Sequence, residues 1–204
     1  RRKGKNMTDK PDLTLYLGGT RSGKSARAEA AALQAQGPVL YVATAEARAD
    51  DASMLDRIRR HRARRPAHWR TLECPCRLAE SIAAALASAP FAPGAAEAGR
   101  VRPTILVDCV TLWVSNILFS LPDPEDLEAF ETAVRAEVDA LLALMERSAC
   151  RWLVVSGEIG LGGIAPERIG RHYCDGLGLA NQLIAARARD VFLVVAGRLL
   201  TLAE

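Results

Sequence analysis

The stretch "GGTRSGKS", Gly18 to Ser25, lies between the apolar run "LTLYL" (Leu13 to Leu17) and the Ala-rich segment "ARAEAAALQAQ". It fits the pattern G-x-x-x-x-G-K-[ST] at Gly18, Gly23, Lys24 and Ser25. Few folds can carry such a turn. Its glycines let successive backbone N–H groups point at phosphate oxygens. A strand must deliver the chain to the turn, and a helix must leave it with its positive end facing the phosphates. Lys24 is then expected on the β- and γ-phosphates, and the Ser25 hydroxyl on Mg²⁺.

The rest of the chain agrees with that demand. "VLYVATA" (Val39–Ala45), "TILVDC" (Thr104–Cys109), "WLVVSGE" (Trp152–Glu158) and "VFLVVAG" (Val191–Gly197) are short, nearly continuous apolar runs, as are strands buried on both faces. Helical patterns separate them at Ser25–Gln36, Arg77–Ser88, "CVTLWVSNIL", Glu125–Glu146 and Asn181–Arg189. The alternation predicts an α/β, three-layer P-loop fold, with helices on both faces of a mostly parallel sheet. "GRLLTLA" reads as a turn into an antiparallel edge strand, and Ala89–Pro103 as a loop by its Pro and Gly content.

Charge narrows the partners. The formal net charge is +3, and residues 1–12 account for all of it through Arg1, Arg2, Lys3, Lys5 and Lys10 against Asp9 and Asp12. Residues 1–12 are expected to be a disordered basic tail, and 13–204 one nucleotide-binding catalytic domain. A charge-balanced body argues against a nucleic-acid partner. No apolar run approaches the length of a membrane span, and the N-terminal stretch has no apolar core of a signal peptide. The five cysteines, an odd count, read as reduced thiols in the cytoplasm. "CPC" at Cys74–Cys76 has no second Cys/His pair at zinc spacing. A guanine-reading N-K-x-D loop is missing too, which excludes a GTP switch.

Two further positions bear on chemistry. Asp108 ends "TILVD", where a P-loop protein carries a carboxylate for Mg²⁺; the same residue could instead cap the helix that follows. In the segment from Asp50 to Glu73, Asp50 or Asp51 can cap a helix that carries Met54, Ile58 and His61 on an inward stripe. Arg57, Arg59, Arg60, Arg62, Arg64 and Arg65 surround His61, a setting that suits a phosphate chain and disfavours imidazolium. Neutral imidazole can attack phosphorus. His68 is expected to pack beside Trp69. The residues alone leave open a small-molecule kinase in which His61 is structural, and a nucleotide-dependent regulatory protein.

Taken together, "GGTRSGKS", "VLYVATAEA", "DRIRRHRARRPAHWRTLE", "ILVDCVTLWVSNIL", "GEIGLGGIAPE" and "RHYCDGLGLANQLIA" resemble the bifunctional adenosylcobinamide kinase / adenosylcobinamide-phosphate guanylyltransferase family of cobalamin biosynthesis. The resemblance implies a recombinase-like P-loop core assembled as a homotrimer. It implies phosphorylation of the corrinoid adenosylcobinamide by ATP or GTP, then transfer of GMP from GTP through a GMP–histidine intermediate. The matching histidine is His61. The matching nucleotide contacts are Gly18, Gly19, Thr20, Arg21, Ser22, Gly23, Lys24 and Ser25; Thr44, Ala45 and Glu46; Arg62, Ala63, Arg64 and Arg65; Glu73; and Asp108. Ser25 and Asp108 would hold Mg²⁺, directly or through water, and His61 and Lys24 would be catalytic.

Overall fold

The computed structural model describes residues 10–46, 52–91, 101–163 and 165–203, with the side chains of 52–54 and 57 excepted. The expected helix cap, Asp50 or Asp51, and the side chains of Met54 and Arg57 lie outside the described residues.

The chain runs β1 (Leu13–Gly18), α1 (Lys24–Leu33), β2 (Val39–Ala43), α2 (Ala52–Arg64), β3 (Arg70–Glu73), α3 (Leu78–Leu86), β4 (Thr104–Asp108), α4 (Val110–Ser120), α5 (Leu127–Arg147), β5 (Arg151–Gly157), α6 (Arg168–Arg187), β6 (Asp190–Val195) and β7 (Arg198–Thr201). The strands form one sheet in the order β3-β2-β4-β5-β1-β6-β7. All neighbours are parallel except the edge pair β6–β7. This is the expected α/β P-loop arrangement with its antiparallel edge.

The two faces are covered unequally. Leu13, Leu15, Leu40, Val42, Ile105, Val107, Trp152 and Val154 point to one side, against Trp113 of α4, Phe130 and Val138 of α5 and Leu177 and Ile184 of α6. On the other face Tyr16, Tyr41, Leu106, Leu153 and Val155 meet Ala28 and Ala32 of α1, together with Trp69. Alternation of side chains along each strand serves both layers, so nearly every strand position is apolar. Each fully buried large side chain contributes roughly 1.5–3 kcal/mol of transfer free energy. The small residues of α1 let it lie close on the sheet and bring the phosphate loop onto the strand tips.

Two elements extend beyond the sequence reading. β3, "RTLE", is a strand that its four exposed or half-exposed residues did not announce; it pairs with β2 from Leu40↔Arg70 to Ala43↔Glu73. Helix α6 begins at Arg168, well before the expected Asn181. Three glycines inside it look like breakers. A Cβ at Gly176 would lie 2.3 Å from the Phe130 ring, so glycine there is the residue that lets α5 and α6 close.

Candidate active site

The phosphate loop leaves β1 at Gly18. A Cβ there would stand 2.6 Å from both Ser22 Oγ and the Val194 carbonyl oxygen, because the loop folds back over the strand tips. Gly19, Thr20 and Arg21 form an exposed crest, and Arg21 turns it at φ 58, left-handed for a side-chain-bearing residue. Gly23 caps α1 at φ 97, a conformation glycine takes without strain. The helix starts at Lys24, one residue before the sequence reading. Lys24 Nζ donates to the Gly19 carbonyl at 3.1 Å, so the ammonium lies across the loop. The β6–β7 turn braces this arrangement: Gly197 N donates to Ser22 O at 2.8 Å, and Arg27 Nε to Gly197 O at 2.6 Å.

Asp108 ends β4 and faces α1. Ser25 Oγ donates to its Oδ1 at 3.1 Å, and the Tyr41 hydroxyl to its Oδ2 at 2.5 Å. Helix α4 is capped at Cys109 with no side-chain bond, so Asp108 serves the phosphate loop and not the helix. Burial, then the charge of Asp108, pushes the Tyr41 phenol far up, which keeps it a proton donor to the carboxylate. The Tyr41 ring stacks on Trp69 with centroids 6.4 Å apart, and the Arg65 guanidinium lies 3.6 Å from its centroid. Such a cation–π contact contributes about 0.5–2 kcal/mol.

Thr44, just past β2, holds the tip of β4. Its hydroxyl accepts from Cys109 N at 2.8 Å and donates to Cys109 O at 2.7 Å. Asn116 of α4 donates to Thr44 O at 2.9 Å and to Pro75 O at 3.0 Å. Ala45 and Glu46 follow at the surface beside this clamp.

Helix α2 brings the imidazole. His61 Nδ1 lies 3.7 Å from Asp108 Oδ2, with the two side chains 26% and 9% exposed. Arg64 Nη2 stands 3.4 Å from the same nitrogen and 3.8 Å from Glu29 Oε1. Glu29, one turn past Ser25 on α1, keeps Oε1 buried without a hydrogen bond. Burial pushes the Glu29 carboxyl up; Arg64 opposes that shift and Asp108 adds to it. Glu29, His61 and Asp108 offer ligand atoms within 4.8 Å of one another, the one such group among the described residues. Neither Glu29 nor Tyr41 was foreseen: one looks like an exposed residue of an Ala-rich helix, the other like a core residue of "VLYVA".

The expected ring of arginines is smaller than the sequence suggests. Arg59 and Arg60 pair with Asp56 and are 76% and 77% exposed. At 100° per residue they stand far around the helix from His61. Arg62 pairs with Glu73 on β3, Arg65 lies on Tyr41, and Ala63 faces solvent. His68 is also exposed; Trp69 alone of that pair is buried, because its ring covers Tyr41.

The donor set fits the metal the loop implies. Ser25 Oγ and the Asp108 carboxylate are hard oxygen ligands already within 3.1 Å of each other.

Comparison with known proteins places the chain in a family. Residues 14–202 match the family described as cobinamide kinase / cobinamide phosphate guanyltransferase. A Pseudomonas aeruginosa protein named bifunctional adenosylcobalamin biosynthesis protein CobP is 43% identical over 90% of this chain and 92% of its own length. Proteins named bifunctional adenosylcobalamin biosynthesis protein CobU are 40% identical in Salmonella typhimurium and 37% identical in Escherichia coli, each match covering 91% of this chain and 96% of the relative. No helix among the described residues is long and apolar enough to cross a membrane.

Proposed function

The chain belongs to the cobinamide kinase / cobinamide phosphate guanyltransferase family, and from that premise we propose how its residues divide the two reactions. Adenosylcobinamide is phosphorylated by ATP or GTP over the phosphate loop. GMP from a second GTP then passes to adenosylcobinamide phosphate by way of His61, giving adenosylcobinamide-GDP. The observation that carries the reading is the 3.7 Å approach of His61 Nδ1 to Asp108. A histidine on a separate helix stands beside the carboxylate that also receives Ser25.

Phosphoryl transfer needs positioning and charge neutralisation more than covalent help. Lys24 and the N–H groups of Gly19 to Ser25 supply both on the β- and γ-phosphates. Mg²⁺, held through Ser25 and Asp108, adds positive charge at those phosphates when bound. Attack at the α-phosphorus asks for a nucleophile outside the loop. In that step a ring nitrogen of His61 forms the bond to phosphorus, and pyrophosphate leaves with the electron pair of the broken P–O bond. Arg64, beside the imidazole, and Arg62 receive the departing charge. The Arg62–Glu73 pair would open to do so, which makes Glu73 the partner that parks Arg62 between turnovers. Thr44, Ala45 and Glu46, which follow β2, complete the nucleotide contacts in this reading.

The family resemblance also carries a homotrimer and a cytoplasmic setting into this proposal; sedimentation at three times the 22.0 kDa chain mass checks the first. The test of the two reactions is product mass. Cobinamide with ATP alone should give cobinamide phosphate, and adding GTP should give the GDP-linked product. Phosphate product with no further conversion in GTP would leave only the kinase half standing.

A further inference from the structure

A kinase must also receive the proton of the alcohol it phosphorylates, and the groups described so far are committed elsewhere. Asp108 accepts from Ser25 and Tyr41, Glu73 holds Arg62, and Glu29 faces Arg64. One carboxylate at this edge of the sheet differs. Glu158 directly follows β5, the strand that lies between β4, which ends in Asp108, and β1, which ends in the phosphate loop. Gly18 and Gly157 are register partners, and Glu158 N donates to Gly18 O at 3.1 Å. The backbone of Glu158 is therefore fixed to the first residue of the loop.

Its side chain is half-buried, and its Oε1 accepts from Gly160 N at 3.0 Å. Among the described residues no Lys, Arg or His forms an ion pair with it. A carboxylate held by a backbone amide alone keeps lone pairs for an incoming hydroxyl. The chain then makes a 3-10 turn, Gly160–Gly162, that presents Leu161 with 81% of its surface exposed. Gly163 follows at φ 100, a left-handed conformation suited to glycine. The segment thus carries an acid whose backbone is tied to the phosphate loop and, three residues later, an exposed apolar side chain.

We propose that this segment, Glu158 to Gly163, is the acceptor site for the kinase step: Glu158 takes the proton of the acceptor's alcohol, and Leu161 lies against the apolar body of the ligand. The alcohol oxygen forms the new bond to the γ-phosphorus. The bond from that phosphorus to the β,γ-bridging oxygen breaks, and the nucleoside diphosphate leaves with its electron pair. The alcohol proton goes to the Glu158 carboxylate and from there to water, so no co-reactant is needed. The inference rests on the kinase half of the proposed function and is independent of His61.

The experiment compares wild type, Glu158→Gln and Leu161→Ser as full chains in two assays: phosphorylation of cobinamide by ATP, and guanylyl transfer from GTP to preformed cobinamide phosphate. Glu158→Gln should lower kinase kcat at least 100-fold, with the KM for cobinamide and the guanylyl transfer rate each within threefold of wild type. Leu161→Ser should raise the KM for cobinamide at least fivefold with kcat nearly unchanged. Kinase turnover of Glu158→Gln within threefold of wild type overturns the base assignment. Equal loss of both activities also overturns it, since Glu158 would then be holding the sheet edge together. An unchanged KM in Leu161→Ser removes the loop from the acceptor site. A wild-type chain that makes no cobinamide phosphate at all is a separate result: it refutes the kinase reading itself and this inference with it.

Discussion

The Tyr41 hydroxyl donates to Asp108 Oδ2 at 2.5 Å while Ser25 holds Oδ1 at 3.1 Å, so one buried phenol fixes the rotation of the carboxylate that serves the phosphate loop. The phenol is itself fixed, stacked on Trp69 and covered by Arg65. Four side chains from three separate segments thus aim a single acid.

Tyr41→Phe tests that relationship. The ring and its stacking remain, and only the donor to Oδ2 is lost. Removing one partner of a buried, charge-assisted bond costs about 1–3 kcal/mol. Thermal unfolding should shift down accordingly, and kinase kcat should fall about tenfold as Asp108 loses its orientation. Unchanged melting and unchanged turnover together would show that the phenol positions nothing.

Lys24→Ala should remove the kinase reaction and spare the fold. Lys24 lies across the loop on Gly19 O, and loss of a preorganised charge contact at a transferring phosphoryl group costs about 10²–10³ in kcat. Circular dichroism melting should stay close to wild type, because the bonds that brace the loop, Gly197 N to Ser22 O and Arg27 Nε to Gly197 O, do not involve the Lys24 side chain. Kinase turnover within threefold of wild type would refute the assignment.

Glu29 gives a pH signature. Its carboxyl is raised above the ordinary value of 4.5, chiefly by burial. A raised acid binds its proton more tightly in the folded state than in the unfolded one. Its contribution to stability is therefore fully present below the unfolded value and is lost as pH rises through the folded value. Glu29→Gln, which stays neutral, should melt about 1–3 °C above wild type at pH 7–8, and the difference should vanish on acidification below about pH 4.5. A pH-independent difference would mean that Arg64 fully offsets the burial.

What was legible in the sequence follows from how locally each feature is written. The phosphate loop is eight consecutive residues between a strand and a helix, and Asp108 is the last residue of an apolar run. His61 shares a helical stripe with Ile58. All three depend on spacing within one element. Tyr41, Glu29 and β3 depend on which elements end side by side. "RTLE" has no apolar pattern of its own; it is a strand because the edge of β2 offers it a ladder. Glu29 looks like any exposed helix residue until α2 folds His61 and Arg64 over it. The first half of α6 was hidden by glycines whose penalty of about 1 kcal/mol each is outweighed by packing, above all at Gly176 against Phe130. The arginine cluster was overread for the opposite reason: adjacency in sequence is not adjacency on a helix, and Arg59 and Arg60 turn away.

The measurement that bears most directly on the division of labour is the fate of label from GTP. With Mg²⁺ and GTP, the protein should retain label from the α-phosphate and none from the γ-phosphate, in a phosphoramidate stable to alkali and labile to acid. His61→Asn should lose that label and guanylyl transfer while keeping the kinase reaction nearly intact, and His68→Asn should label normally. Normal labelling of His61→Asn, or label mapped to His68 or His172, would contradict a GMP–histidine step at His61.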